Sequence, residues 1–163
     1  MSMIAVQFRS IVLRPTLAAL GKVDIRLDSK AAENLLFGTA CQESQLGKYL
    51  AQYPKGPALG VFQMEPATLN DLLHWLASTE PRRKLLDAAL KLSFSGMSVT
   101  EQLPGNLYLS AALARINYWR KPFSMPDQSD LSGLSIVWKK WWNTELGAGT
   151  TDQWIANYRK FDR

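Results

Sequence analysis

The sequence predicts a mainly α, single-domain protein built around one central buried helix. Three observations carry that prediction. Apolar residues recur at three- and four-residue spacing through most of the chain, side chains able to cap a helix precede several of these runs, and Asn106 to Arg120 is apolar almost all round. At 163 residues the chain fits one domain over 1–163, long enough to bury roughly two thirds of the surface it exposes when unfolded. With 47% apolar and 20% charged residues it has the balance of a folded chain and not of a disordered one.

The first helical pattern runs from about Val6 to Leu20, with Phe8, Val12 and Leu17 to Leu20 apolar, Pro15 placed to break it and Gly21 placed to stop it. Ile25 to Leu27 is too short to assign. Ser29 suits an N-cap, because its hydroxyl can accept from an otherwise unpaired backbone N–H, and the helix it opens runs through Ala31 to about Glu43. Ala32, Leu35, Leu36, Thr39 and Ala40 recur on one face of it, and Glu43 falls on the same stripe. Glycine and proline then interrupt the pattern from Ser44 to Phe62, as in a loop with a short hairpin-like piece. Pro66 suits a first helical turn, with Leu69, Leu72, Leu73 and Leu76 continuing to about Ser78, and Pro81 opens another helix through Leu90. The segment Asn106 to Arg120 is the candidate central helix. Asp130 is placed to cap a helix bearing Leu134, Val137, Trp138, Trp141 and Trp142, Gly147 and Gly149 mark the break after it, and Thr151 is placed to cap a last helix on which Trp154, Tyr158 and Phe161 share a face.

Composition narrows the chemistry. A single cysteine, Cys41, excludes an internal disulfide framework, and with one histidine, His74, a Cys/His zinc site is also excluded. No metal and no cofactor is expected. Cys41 has no evident general base near it and reads as a small buried hydrophobe. No stretch approaches the ~20 apolar residues of a membrane span, and Met1 to Leu20 carries Arg9 and Arg14 within its apolar run, so neither a span nor a signal peptide is expected. The net charge of +5 favours an anionic partner. Its basic residues are scattered apart from Arg82 to Lys84 and the pair Lys139 and Lys140, and no nucleic-acid motif accompanies them, so no specific nucleic acid is expected.

Glu43 is the candidate catalytic residue on physical grounds. A carboxylate on the apolar stripe of a helix, where that helix gives way to a loop, loses part of its hydration. That disfavours the charged form and raises the pKa, the condition for donating a proton near neutral pH. An arbitrary glutamate at a helix end is mostly solvent-exposed; the neighbouring residues change the odds. Gln42-Glu43-Ser44 is followed by Gly56-Pro57-Ala58-Leu59-Gly60-Val61-Phe62-Gln63-Met64-Glu65-Pro66-Ala67-Thr68. This string resembles the active-site signature of soluble lytic transglycosylases and goose-type lysozymes, in which a Glu-Ser pair ends a helix and a Gly-x-x-Gln block precedes Pro-x-Thr at the next one. Phage-encoded lysozyme-like proteins are similar over most of the chain, through Arg14-Pro15-Thr16-Leu17, Gly38-Thr39-Ala40, Tyr118-Trp119-Arg120-Lys121-Pro122 and Gly147-Ala148-Gly149-Thr150. The late Ala-Tyr-Asn-Ala-Gly block of lytic transglycosylases is represented only by Trp142-Asn143.

The resemblance implies a lysozyme-like fold and cleavage of β-1,4 bonds between N-acetylmuramic acid and N-acetylglucosamine, with peptidoglycan glycan strands as partner. It makes Glu43 the catalytic acid, with Ser44, Gly60 and Gln63 at the matching motif positions around the substrate. Tyr118 and Asn143 are further candidates to line the cleft, and Glu65 is the nearby second carboxylate that a hydrolase, in place of a transglycosylase, would need to activate a water. Several of these have plainer readings: Glu65 as the N-cap of the helix at Pro66, Tyr118 as core, and the tryptophans at helical spacing as packing. It also implies a phage setting, in a virion beside other virion proteins or in the host cytoplasm until lysis. A second class of reading keeps the fold without the chemistry, as a structural or wall-binding component of a phage particle. A third, charge-driven nucleic-acid binding, has only the basic surface behind it.

Overall fold

A computed structural model describes residues 4–144 and 147–162, and these are mainly helical. The opening pattern is one helical run. It comprises α1 (Ala5–Gln7), a π-helical segment (Phe8–Leu13) and α2 (Arg14–Gly21). Pro15 does not break it: the wider turn, in which the Arg14 N–H reaches Arg9 O, ends just before the residue that has no N–H to give. Ile25–Leu27 forms a 3-10 turn capped by Asp24.

Helix α3 (Lys30–Ser44) starts where expected, with Ser29 Oγ accepting from the Ala32 N–H. Its end is set by backbone and not by glycine alone, since Gln45, Leu46 and Gly47 all have positive φ. Leu46 is fully buried there, and its N–H returns to Ala40 O. The following loop folds back through bridges pairing Ala51 with Leu59 and Leu59 with Met64. Then come α4 (Pro66–Ala77) and α5 (Glu80–Leu90), which pack on each other as a helical hairpin. A short helix absent from the periodic pattern, α6 (Val99–Gln102), is closed by a capping box between Ser98 and Glu101.

Helix α7 (Leu107–Trp119) is the central element, and the reason is visible in its neighbours. Ala111, Ala114 and Tyr118 join one core with Leu36, Phe37 and Trp138, while Leu109, Leu113 and Ile116 join a second with Leu69, Leu72 and Leu76. A helix buried on two sides leaves little room for charge, and the one charged side chain of α7, Arg115, is itself buried and donates to the Leu27 and Arg26 carbonyls. Helix α8 (Leu131–Trp138), capped by Asp130, continues into a π-helical segment (Lys139–Asn143). Helix α9 (Thr151–Phe161) closes the fold against α3 and α8. Its cap is Thr150 and not Thr151: Thr150 Oγ1 accepts from the Gln153 N–H and the Gln153 side chain reciprocates. Among the described residues no helix is long and apolar enough to cross a membrane.

Candidate active site

Glu43 sits in the last turn of α3, and the packing of that turn defines its environment. Thr39, one turn earlier on the same stripe, is fully buried and exchanges a 2.8 Å hydrogen bond with the Tyr118 hydroxyl. From α8 the indole of Trp138, itself fully buried, donates to Glu43 Oε1 at 2.7 Å. The carboxyl group is thus enclosed on its helix side and open on the other. Burial pushes its pKa up, the Trp138 hydrogen bond pulls it part of the way back, and the balance stands at about 7.

The open side is a groove of about 1000 Å³. Glu43 lines it together with Gln63, the first turn of α4 including Glu65 and Thr68, the end of α7, and Trp141 to Thr144. Tyr49 and Tyr53, stacked with ring centroids 5.8 Å apart, stand on its loop side. At the end of α7, Arg120 donates to Asp71 at 2.7 Å and to Asn117 Oδ1 at 3.0 Å. Trp142 ties two walls together: it stacks on Tyr118 at 5.1 Å, and its N–H donates to Phe62 O, in the turn that precedes Gln63.

The residues singled out in the sequence therefore divide into two groups. Glu43, Gln63, Glu65 and Asn143 all line the groove. Gln63 holds a positive φ of 48° and donates from Nε2 to Gly60 O, so its own turn is self-braced. Glu65 occupies the N-cap position of α4 but its side chain makes no capping bond, leaving the carboxylate exposed toward the groove. Asn143 Oδ1 accepts from Lys139 Nζ, which also reaches Gly147 O.

Ser44, Gly60 and Tyr118 do not reach the groove, and the expectation that they contact substrate is corrected. Ser44 is fully buried. Its hydroxyl lies within hydrogen-bond distance of Val61 O and Ala40 O and accepts from the Gly47 N–H, so it fastens the helix end to the loop. Gly60 is buried at φ +76°, and a Cβ there would meet Leu103 O at 2.3 Å, so it serves a close backbone approach. Tyr118 is 1% exposed and lies under Trp142 as a platform.

Two features escaped the sequence reading. Trp138 sits at helical spacing with Trp141 and Trp142, which reads as packing, and only the fold shows that its N–H meets Glu43. The Arg120–Asp71 bridge joins helices far apart in the chain. Cys41 is buried in the core with its thiol pushed upward by burial, and His74 is exposed and bonded to its own helix through Asn70 O. Among the described residues no group of three or more His, Cys, Asp or Glu side chains is arranged to hold a metal ion. Comparison of the chain with protein-family models, curated proteins and solved structures finds no match in any of the three.

Proposed function

We propose that the protein is a peptidoglycan-degrading glycosidase that cleaves β-1,4 bonds between N-acetylmuramic acid and N-acetylglucosamine, of the lytic transglycosylase kind, with Glu43 as its acid. The observation that supports this best is a carboxyl group with its pKa at about 7, facing a groove of about 1000 Å³ lined by Tyr49, Tyr53, Trp141 and Trp142. Near neutral pH such a group is protonated in a large fraction of molecules, and its conjugate base is strong enough to take a proton back.

The chemistry then follows in two steps. Glu43 gives its proton to the glycosidic oxygen as the C1–O bond breaks, and the bonding pair leaves with that oxygen as a neutral hydroxyl and not as an alkoxide. The Glu43 carboxylate next removes the proton of the muramic acid C6 hydroxyl while its oxygen bonds to C1, closing a 1,6-anhydro ring and restoring the acid. One carboxyl group serves both steps. Tyr53 and Trp141 offer ring faces for sugars, and Gln63, Asn117 and Asn143 offer amides for hydroxyl and N-acetyl groups. The hydrolytic variant has an observation behind it as well: Glu65 faces the same groove without a capping bond, available to activate a water.

Purified cell walls treated with wild type and Glu43→Gln, followed by turbidity and by mass spectrometry of the fragments, test this. The wild type is expected to clear the walls and release anhydro-ended muropeptides. Glu43→Gln should lose roughly 10²- to 10⁴-fold in rate, the usual worth of a general acid. Exclusively reducing ends would remove the transglycosylase and leave the hydrolase. Undiminished clearing by Glu43→Gln would remove the acid, and walls bound but never cleaved by the wild type would point to the non-catalytic wall-binding role.

A further inference from the structure

We infer that Trp138 is the positioning residue of this acid: its indole N–H, a group that donates and never accepts, holds Glu43 Oε1 and thereby biases the carboxyl proton toward Oε2. Use of that proton on a sugar rests on the function proposed above. The assignment itself rests on geometry alone.

An indole nitrogen has one hydrogen and no available lone pair, so the atom facing it at 2.7 Å must be an acceptor in either state of the carboxyl group. When Glu43 is ionised either oxygen qualifies. When it is protonated the carbonyl oxygen is the stronger acceptor, and a hydroxyl at Oε1 could accept only with its own hydrogen turned away from the indole. Trp138 is fully buried, and among the described residues it supplies the one side-chain hydrogen bond to this carboxyl group. The neutral acid is therefore biased toward one tautomer, with its proton on the oxygen that the indole does not hold. Free rotation of the carboxyl group would populate both tautomers and leave the proton misdirected part of the time.

The indole is itself held in place. Trp138 belongs to the core that α3, α7, α8 and α9 share with the first helical run, and a Cβ added at Gly149 would lie 2.7 Å from its Cη2. Gly149 thus marks the far edge of the slot in which the ring is seated. The titratable and charged side chains around the carboxyl group are few. Tyr118 from α7 is held protonated far above its ordinary range, chiefly by burial. Glu65, Asp71, Arg120 and Lys121 line the groove, and Lys139 is engaged with Asn143 and Gly147. Trp138 alone among these neighbours binds the Glu43 carboxyl group directly.

The test uses the indole as its own reporter. In 15N–1H spectra of the full chain, the Trp138 side-chain signal is expected to move downfield with a midpoint near 7 as Glu43 ionises. In Glu43→Gln, which keeps an acceptor and loses the titration, the signal should stay at one position. Replacing Trp138 with 3-benzothienyl-alanine preserves the bicyclic shape and removes the N–H. It should raise the Glu43 pKa, read by 13C titration of the carboxyl carbon, by roughly 0.5 to 1 unit, since the bond to the charged form is lost. Where walls are cleaved, it should move the alkaline limb of the pH–rate profile by the same amount and lower kcat more than it changes KM. Gly149→Ala should displace the ring and move the indole signal in the same sense as the loss of the bond.

An indole signal that ignores pH in the wild type would overturn the inference, as would a Glu43 titration untouched by the isosteric replacement. Both readouts are independent of catalysis, so a protein that binds walls without cutting them would refute the proposed function and leave this assignment standing.

Discussion

Helix α3 carries a desolvated carboxylate at each end, Glu33 buried and Glu43 half-buried, and the two behave in opposite ways. Glu33, in the first turn, is 4% exposed and meets three cations: Lys30 at 2.7 Å, Arg9 at 3.0 Å and Arg14 at 3.4 Å. Burial alone would raise its pKa, but hydrogen bonds and charge from Lys30 and Arg9 outweigh that and bring it below the ordinary carboxylate range. Glu43, ten residues later, receives among the described residues one neutral N–H and no cation, and burial wins. Desolvation acts on both. What separates a structural anion from a proton donor is whether compensating positive charge was folded in beside it.

The comparison breaks most severely at Arg9. Its guanidinium lies 3.9 Å over the Phe37 ring and donates to Glu33, Asn34, Tyr158 and Asp162, joining the first helical run to α3 and α9. Arg9→Met should cost about 3 kcal/mol or more in denaturant unfolding, because it leaves Glu33 buried with fewer partners. It should leave the Glu43 titration where it was. A drop in both would show that the two ends of the helix are coupled.

Glu43→Gln should sharpen the contrast through the pH dependence of stability. The folded protein holds the Glu43 proton up to about 7 while the unfolded chain releases it near the ordinary value of 4.5. Between those values the folded state binds more protons, so the wild type loses stability as pH rises, and the loss is complete above pH 7. Glu43→Gln should escape it and be more stable than the wild type by about 2 to 3 kcal/mol at pH 8 and by little at pH 4. Glu33 contributes with the opposite sign, its stabilisation being lost as pH falls through and below the ordinary carboxylate range. Unfolding midpoints measured from pH 3 to pH 9 check both slopes.

The smallest expected difference lies in the two serines that bound the helix. Ser44→Ala leaves the Gly47 N–H without its acceptor and Val61 O without its donor, and should cost about 1 to 3 kcal/mol. Ser29→Ala removes a cap near solvent and should cost about 1 kcal/mol. Only Ser44→Ala should disturb the groove, seen as shifted signals for Gln63 and Glu43 in NMR spectra.

Much of this was legible in the chain. The Ser29 cap, the Asp130 cap, the helix opening at Pro66 and the all-apolar character of α7 are local properties, set by what a backbone N–H or one helix face requires of the nearest residues. Glu43 was legible for the same reason, by its place on the stripe of Leu36 and Thr39. The exceptions were contests between neighbours. Thr150 and Thr151 are both competent caps, and the capping box with Gln153 decides for the first. Pro15 signals a break that a π-helical turn absorbs. Helix α6 is too short to show a period.

The surroundings of Glu43 were not legible, and distance along the chain is the reason. Its partner Trp138 lies 95 residues away, Tyr118 meets Thr39 across 79, and Ser44 ties to Val61 across a loop with no periodic signal. Sequence determined most of the helices and which carboxylate stands on an apolar face, because propensity, capping and periodicity act over a few residues. Tertiary structure decided that Ser44, Gly60 and Tyr118 brace the groove from behind, and that Glu33 keeps its charge while Glu43 gains a proton. Those outcomes depend on which side chains and how many cations pack against each group, a property of the assembled core and not of any segment of it.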